Sequence, residues 1–216
     1  LTVGIVTTPF DFEGQKRKEI AEAGVAEMKD SVDSLLIIDN NALMNVVARK
    51  LAMKDAYMMA DNILCCAAKG IAELITCSGY INVDFNDVVT VMKDSRTAIM
   101  GLATAKGEER AQIALEEAFT SPLLVNTNIR GATGVLVNIE TSEESSLTVD
   151  EMETIGNMIR ERVGDEPMII YGNAFTEGFG DHMSITLIVT GFPDADAPEG
   201  GKRAWSPNQK LQRIAE

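Results

Sequence analysis

The most constraining feature of this sequence is a long apolar helical pattern over residues 53–77. Its apolar side chains recur at steps of three and four residues, and a second apolar row runs beside the first. The two rows comprise Ala56, Ala60, Ile63, Ala67, Ile71 and Leu74, and then Tyr57, Leu64, Ala68 and Ile75. A helix that is apolar on more than one side is usually covered by protein on more than one side. The pattern therefore predicts a long central helix between two subdomains.

The segments on either side of this helix predict an α/β fold. Residues 1–52 alternate strand and helix, as the remnant of a parallel sheet would. Residues 78–90 predict a loop and a short helix, residues 91–192 a second α/β domain with a four-stranded sheet and helices packed on it, and residues 193–216 a tail without periodicity. The strands of the second domain are expected at 98–104, 134–139, 168–174 and 184–190, and its helices at 107–119 and 149–162.

The acidic balance of the chain argues against several classes of function. With 19 basic and 33 acidic residues the net charge is -14, which repels nucleic-acid phosphate and anionic lipid. No uncharged apolar stretch of about 18 residues occurs, so no membrane helix is expected. A single histidine, His182, cannot form a metal cluster, and no metal site is predicted. The cysteines Cys65, Cys66 and Cys77 are expected to be reduced thiols of a cytoplasmic protein.

Polar side chains follow both strands of the first segment, where a ligand site is expected. Glu13 and Arg17 lie where the first strand gives way to a helix, and Asn40 directly follows the second strand. Ligands of open α/β sheets bind outside the carboxyl ends of strands, although a charged helix start and a turn asparagine are also ordinary features. Tyr57 and Asp61 lie four residues apart on one helix face. Such a pair can stack on a purine and accept hydrogen bonds from its edge, and a core-edge tyrosine beside a solvated aspartate is the alternative.

Two carboxylates, Asp84 and Asp87, follow the long helix at a spacing of three residues. Asp84 is a good helix N-cap and Asp87 complements the helix dipole, so one interpretation is purely structural. The functional interpretation is that two carboxylates on an exposed loop orient and polarise a water molecule for attack on phosphorus. These two residues alone leave both interpretations open.

The order of these motifs along the chain closely resembles FtsZ, the bacterial tubulin-like division GTPase family. The resemblance covers about residues 1–192 without a large gap, and several separate motifs occur in the same order. The matching segments are 9–17, 32–40, 55–64, 70–75, 82–88, 100–101, 107–111, 121–124, 134–138 and 189–192. The resemblance implies that residues 1–52 are the C-terminal remnant of a GTP-binding domain.

The resemblance also implies roles for the five residues of the first group. By position, Glu13 would contact the ribose, Arg17 the phosphate side and Asn40 the nucleotide. Tyr57 would stack on guanine, and Asp61 would bond its edge. The implied ligands are GTP or GDP, with Mg²⁺ held mainly with the phosphates.

The three residues Asn82, Asp84 and Asp87 match the family's synergy loop. In the family this loop enters the GTP site of the next subunit of a head-to-tail filament, where it positions the attacking water. The implied protein is a filament-forming cell-division GTPase in the cytoplasm at the division site. Its implied partners are further copies of itself and division-machinery proteins bound through the C-terminal tail, without nucleic acid or membrane insertion.

The family's Gly-rich phosphate loop does not occur in these 216 residues. The apolar run at 2–8 predicts a core strand directly after Leu1, and termini lie mostly at the surface, so we expect coding sequence in front of Leu1. Without the phosphate loop we expect negligible GTP affinity and no GTPase activity from these residues alone. Two alternatives remain: a non-enzymatic assembly or capping module that binds an intact subunit, and an unrelated small-molecule-binding α/β domain.

Overall fold

The computed structural model describes residues 1–44, 52–76, 79–121, 124, 129–164 and 167–191. The predicted tail at 193–216 and Cys77 lie outside the described residues. Within these described residues, six strands form one sheet in the order β1-β2-β3-β6-β4-β5. Their bounds are β1 Val3–Thr8, β2 Ser34–Asp39, β3 Arg96–Lys106, β4 Gly134–Thr141, β5 Met168–Phe175 and β6 His182–Thr190. The strands predicted in the second domain are therefore confirmed as β3, β4, β5 and β6.

The sheet is parallel except for β6, which runs antiparallel to both β3 and β4. The pair β1–β2 and the pair β4–β5 are each parallel along their whole length. Strands β2 and β3 also pair in parallel, but only over Ser34–Leu36 and Arg96–Ala98. This short pairing joins the parallel pair β1–β2 and the four-stranded sheet, which the sequence pattern treats separately, into one sheet.

Helices cover both faces of the sheet. Their bounds are α1 Gln15–Lys29, α2 Asn40–Met44, α3 Met53–Thr76, α4 Phe85–Met92, α5 Arg110–Phe119 and α6 Val149–Val163. Side chains of α5 and α6 form one apolar core with β4 and β6, and side chains of α3 and α4 form a second core on the other face. The predicted start of α6 is confirmed, because Thr148 and Glu151 form a reciprocal capping box. The predicted helix at 107–119 begins only at Arg110, because Gly107 has a positive φ of 93°.

The long helix α3 crosses the second face of the sheet from β1 to β5. The small side chains Ala60 and Ala67 of its first apolar row are buried against the sheet. The second row is partly exposed: 40% of Tyr57 and 37% of Ile75 remain accessible. Within the described residues the sheet lies against one side of the helix and much of the other side is exposed, so coverage on more than one side stays a prediction.

Candidate functional site

The turn after β1 is built around Glu13. Its Oε1 accepts a hydrogen bond from the Phe10 backbone N–H (3.0 Å), and its Oε2 pairs with Arg17 Nε (3.1 Å). The Glu13 side chain is 7% exposed, whereas that of Arg17 is 70% exposed. Glu13 therefore fixes the turn and orients Arg17, whose guanidinium extends into solvent beside the carboxyl end of β1.

Two asparagines follow β2, and the second of them contacts this turn. Asn41 Oδ1 accepts from the Asp11 backbone N–H (2.8 Å), and Asn41 Nδ2 donates to the Pro9 carbonyl (3.4 Å). Asn40 is 5% exposed, and its Oδ1 has no hydrogen-bond partner within the described residues. A buried acceptor without a partner costs free energy that a ligand donor can recover. The linking role of Asn41 was not predicted, although the Asn-Asn pair after a strand is a signal for it.

Tyr57, in the first turns of α3, completes an aromatic cluster beside the turn. Its ring is perpendicular to those of Phe10 (centroids 5.5 Å apart) and Phe12 (6.5 Å), and the two phenyl rings stack on each other at 4.9 Å. Asp61 lies exposed one helical turn after Tyr57. The structure thus brings Glu13, Asn40 and Tyr57 together at the carboxyl ends of β1 and β2. Phe10 and Phe12 were missed by sequence reasoning, although their alternation beside Pro9 marks a turn with one apolar side.

The second group, Asn82, Asp84 and Asp87, lies directly before α4 and in the first turn of that helix. Asn82 is exposed, and its Oδ1 accepts from the Gly79 backbone N–H (3.1 Å). Asp84 is the N-cap of α4, and its side chain accepts from the Asn86 backbone N–H. Asp87 lies exposed in the first turn of the helix. The N-cap interpretation of Asp84 is therefore confirmed, while its second carboxylate oxygen and the Asp87 side chain face solvent as candidates for chemistry.

The two groups lie at opposite ends of α3. A helix of 24 residues is about 36 Å long, and Tyr57 lies in its first turns while Asp84 follows its last. No group of three or more His, Cys, Asp or Glu among the described residues could hold a metal ion. The two sets of polar groups are therefore too far apart to contact one small ligand together.

One further charged residue was missed by the sequence reasoning. Arg110, the first residue of α5, is 4% exposed. Its guanidinium donates to Glu151 Oε1 (2.7 Å) and Ser145 Oγ (2.7 Å), and to the backbone carbonyls of Ser145 (3.0 Å), Ser146 (3.2 Å) and Asp181 (3.2 Å). Arg110 therefore ties the start of α6 and two loops to α5, and it is a structural residue.

The chain is similar to two families of sequences. Residues 96–193 match the profile of the FtsZ family, C-terminal domain. Residues 1–48 match the profile of the Tubulin/FtsZ family, GTPase domain. The order of the two matches follows the order of the two parts of the fold.

Individual relatives carry the same family name. The cell division protein FtsZ of Buchnera aphidicola subsp. Baizongia pistaciae (strain Bp) is 46% identical over 191 residues, which are 88% of this chain and 49% of that protein. The cell division protein FtsZ of Wigglesworthia glossinidia brevipalpis is 43% identical, again over 88% of this chain and 49% of that protein. The chain thus spans about half the length of the curated relatives it matches.

A solved structure agrees with these sequence matches. The empty FtsZ dimer of M. jannaschii superposes with a TM-score of 0.82 at 37% identity, over 88% of this chain and 55% of that chain. Among the described residues, no helix combines the length and apolar character that a bilayer crossing requires.

Proposed function

The chain belongs to the FtsZ family of tubulin-like cell-division proteins, and on that premise we propose that it acts within a filament-forming GTPase. In this proposal it supplies one wall of a GTP site at one end and a catalytic loop at the other. The observation that carries the proposal is the separation of these two groups by the whole length of α3. Because the chain spans about half of its relatives, the activity of a whole protein is part of the proposal.

The first group fits a guanine nucleotide in its chemistry. The buried Asn40 Oδ1 has no partner within the described residues, so it can accept from an N–H or hydroxyl of the ligand. The partly exposed Tyr57 ring offers a stacking surface, and Asp61 can accept from the N–H groups of a guanine edge. The exposed guanidinium of Arg17 matches phosphate oxygens. The Glu13 carboxylate already binds groups of its own turn and so shapes this wall. Only its remaining acceptor capacity is available to the ribose.

The second group supports hydrolysis in trans. Asp84 and Asp87 lie beyond the far end of α3 from Tyr57, so they cannot reach a nucleotide bound to the same copy. A head-to-tail contact brings the loop of one copy to the nucleotide of the next and leaves free ends, which gives an open filament. The exposure of Asn82, Asp84 and Asp87 is what such a contact needs.

The proposed reaction is water attack on the γ-phosphorus of GTP. A new phosphorus–oxygen bond forms to water while the bond to the β–γ bridging oxygen breaks, which yields GDP and inorganic phosphate. The carboxylates of Asp84 and Asp87 accept hydrogen bonds from the water and take up its proton, and Asn82 borders the same loop. Mg²⁺, bound with the phosphates, would neutralise charge on the leaving group.

A second candidate function is capping without turnover. The Asp84 carboxylate is already engaged by the Asn86 backbone N–H, so its first role is to begin α4. A chain that presents this loop face to an intact subunit could end a filament without hydrolysis. This alternative shares the same contact and differs only in the fate of GTP.

The proposal is tested by complementation in trans. The Buchnera aphidicola FtsZ, with the residues aligned to Asp84 and Asp87 replaced by alanine, would serve as the GTP-loaded acceptor. Adding the 216-residue chain is expected to restore phosphate release, and Asp84→Ala or Asp87→Ala in the added chain is expected to lower it by about 10²-fold. Asp150→Ala removes the same charge from the first turn of α6 and is the matched control. Restored assembly contacts without phosphate release would favour the capping function.

The cellular setting follows from the same proposal. Copies associate head to tail in the cytoplasm at the division site, and division-machinery proteins bind through the C-terminal tail. The acidic net charge of -14 supports protein partners over nucleic acid.

A further inference from the structure

Residues 79–84, directly before α4, follow the outer side of strand β5. Among the described strands, β5 lies at the edge of the sheet and pairs with β4. On its other side, the Asn173 backbone N–H donates to the carbonyl of Ile81 (3.0 Å). The loop backbone therefore extends the sheet by one strand-like hydrogen bond.

Gly79 allows the loop to approach β5 closely. A Cβ atom at this position would lie 1.7 Å from the Asn173 carbonyl oxygen, which is backbone and cannot rotate away. The Gly79 N–H is itself held by Asn82 Oδ1 (3.1 Å). Any side chain at position 79 must therefore push the loop off the strand.

Two side-chain contacts extend this attachment along β5. The rings of Tyr80 and Phe175 meet edge to face with centroids 5.0 Å apart. Val83 is 7% exposed and lies over Gly172, where an added Cβ would come within 3.1 Å of Val83 Cγ2. The loop and the strand are thus in contact from Gly79 to Val83.

Asn173 is held firmly on the side of β4. It is 3% exposed, and its Nδ2 donates to the carbonyl of Ile139 (2.9 Å) and to Thr141 Oγ1 (3.4 Å). The strand that carries the loop is therefore cross-linked to the interior of the sheet. A loop fixed in this way is held in place by the sheet, in contrast to a turn without such contacts.

We propose that Gly79, Tyr80, Ile81, Asn173 and Phe175 form a clamp that positions the carboxylates of Asp84 and Asp87. The inference rests on the proposed hydrolysis in trans, for which the carboxylates must meet a water molecule on another subunit. Asp84 begins α4 immediately after the clamped segment, so a displacement of the segment moves both carboxylates with the helix start. Misplacement of a catalytic group by about 1 Å can cost about 10²-fold in rate. The clamp residues are positioning residues, since they touch the loop and not the nucleotide.

The first test is amide hydrogen exchange on the 216-residue chain. The Asn173 amide is expected to be protected in the wild type and to exchange at least about 10-fold faster in Gly79→Ala, because the bond to Ile81 is lost. The amide of Val137, in the inner strand β4, is expected to be unchanged. Gly24→Ala is the matched control, since no atom lies within 4 Å of a Cβ at that position. Unchanged exchange at Asn173 in Gly79→Ala would overturn the clamp.

The second test is phosphate release in trans at a saturating concentration of folded chain, so that the folded fraction and the occupancy do not limit the rate. Gly79→Ala is expected to lower the maximal rate by about 10-fold or more, and Gly24→Ala to leave it within twofold. Phe175→Ala removes the ring beneath Tyr80 without a backbone clash and is expected to act in the same direction. A wild-type maximal rate in both Gly79→Ala and Phe175→Ala would refute the positioning role. If adding the wild-type chain to the acceptor restored no phosphate release, the proposed function would fail, and the exchange measurement would still decide whether the clamp exists.

Discussion

Arg110 shows how a single residue can determine the stability of one end of this sheet. Its guanidinium is buried, and it satisfies Glu151 and several backbone carbonyls at once. We expect Arg110→Met to lower the free energy of unfolding by about 3 kcal/mol, because Glu151 Oε1 and the backbone carbonyls stay buried and lose the Arg110 donor. Urea denaturation followed by circular dichroism measures this change. Arg17→Met, which removes an exposed partner of Glu13, is the control and is expected to cost less than about 1 kcal/mol; equal losses would contradict the argument.

The same ion pair gives a pH dependence with a defined sign. Burial raises the pKa of Glu151, but hydrogen bonds from Arg110 and Thr148 outweigh burial and hold this pKa below its usual range. Because the folded pKa is the lower one, the contribution of Glu151 is present above its unfolded pKa and is lost as the pH falls through the folded pKa. The free energy of unfolding of Arg110→Met should therefore fall less steeply as the pH is lowered than that of the wild type. A parallel acid profile for the two proteins would show that Glu151 is not the group responsible.

At the scale of elements, the packing of α5 on β3 depends on Gly101. A Cβ atom there would lie 2.2 Å from the Ala118 carbonyl oxygen of α5 and 2.5 Å from Leu124 Cδ1. We expect Gly101→Ala to lower the free energy of unfolding by about 1–3 kcal/mol, because the helix must move away from the strand. Gly24→Ala, in the exposed helix α1, should instead be neutral or stabilising by up to about 1 kcal/mol. Matched thermal and urea transitions of the two variants compare these effects, and a neutral Gly101→Ala would contradict the close packing.

Periodicity predicts most of the elements and little of how they join. The strands β3 to β6 and the helices α3 and α6 follow from patterns that are local in sequence. The union of both parts into one sheet depends on the short pairing of Ser34–Leu36 with Arg96–Ala98, residues about sixty positions apart, for which no local pattern exists. The start of α5 is displaced by the backbone of Gly107, a conformational effect that side-chain periodicity does not register.

The residues of the candidate site could be predicted from the sequence, whereas the contacts that support them could not. Glu13 and Asn40 lie at one edge because the carboxyl ends of adjacent parallel strands share that edge, which is a general property of the fold, and Tyr57 reaches the same edge from the start of α3. The clamp of Asn173 on Ile81 could not be predicted, because it joins backbone groups of a loop and of a distant edge strand. The burial of Arg110 could not be predicted from the sequence either, because its hydrogen-bond partners lie in three other segments.

At the scale of the whole molecule, the two ends of the fold, at either end of α3, are chemically different. One end carries the buried acceptor Asn40 beside the aromatic cluster of Tyr57, and the other carries the exposed carboxylates of Asp84 and Asp87. In the proposed head-to-tail contact, a copy whose 216 residues contain no Gly-rich phosphate loop offers only its loop face, and we expect it to stop growth there. This asymmetry predicts a directional effect on filaments of a relative.

The directional effect is tested with the cell division protein FtsZ of Buchnera aphidicola, under conditions in which it sediments as polymer. Adding the 216-residue chain at a fraction of the subunit concentration is expected to reduce sedimented polymer, because each bound chain ends one filament through its loop face. Tyr57→Ala is expected to leave this reduction within about twofold, since the nucleotide wall takes no part in that contact. Gly79→Ala is expected to weaken it, because the displaced loop no longer fits the nucleotide face of the next subunit. If Tyr57→Ala abolished the effect and Gly79→Ala preserved it, the chain would be binding by the opposite end, and the assignment of the loop face to the neighbouring subunit would be reversed.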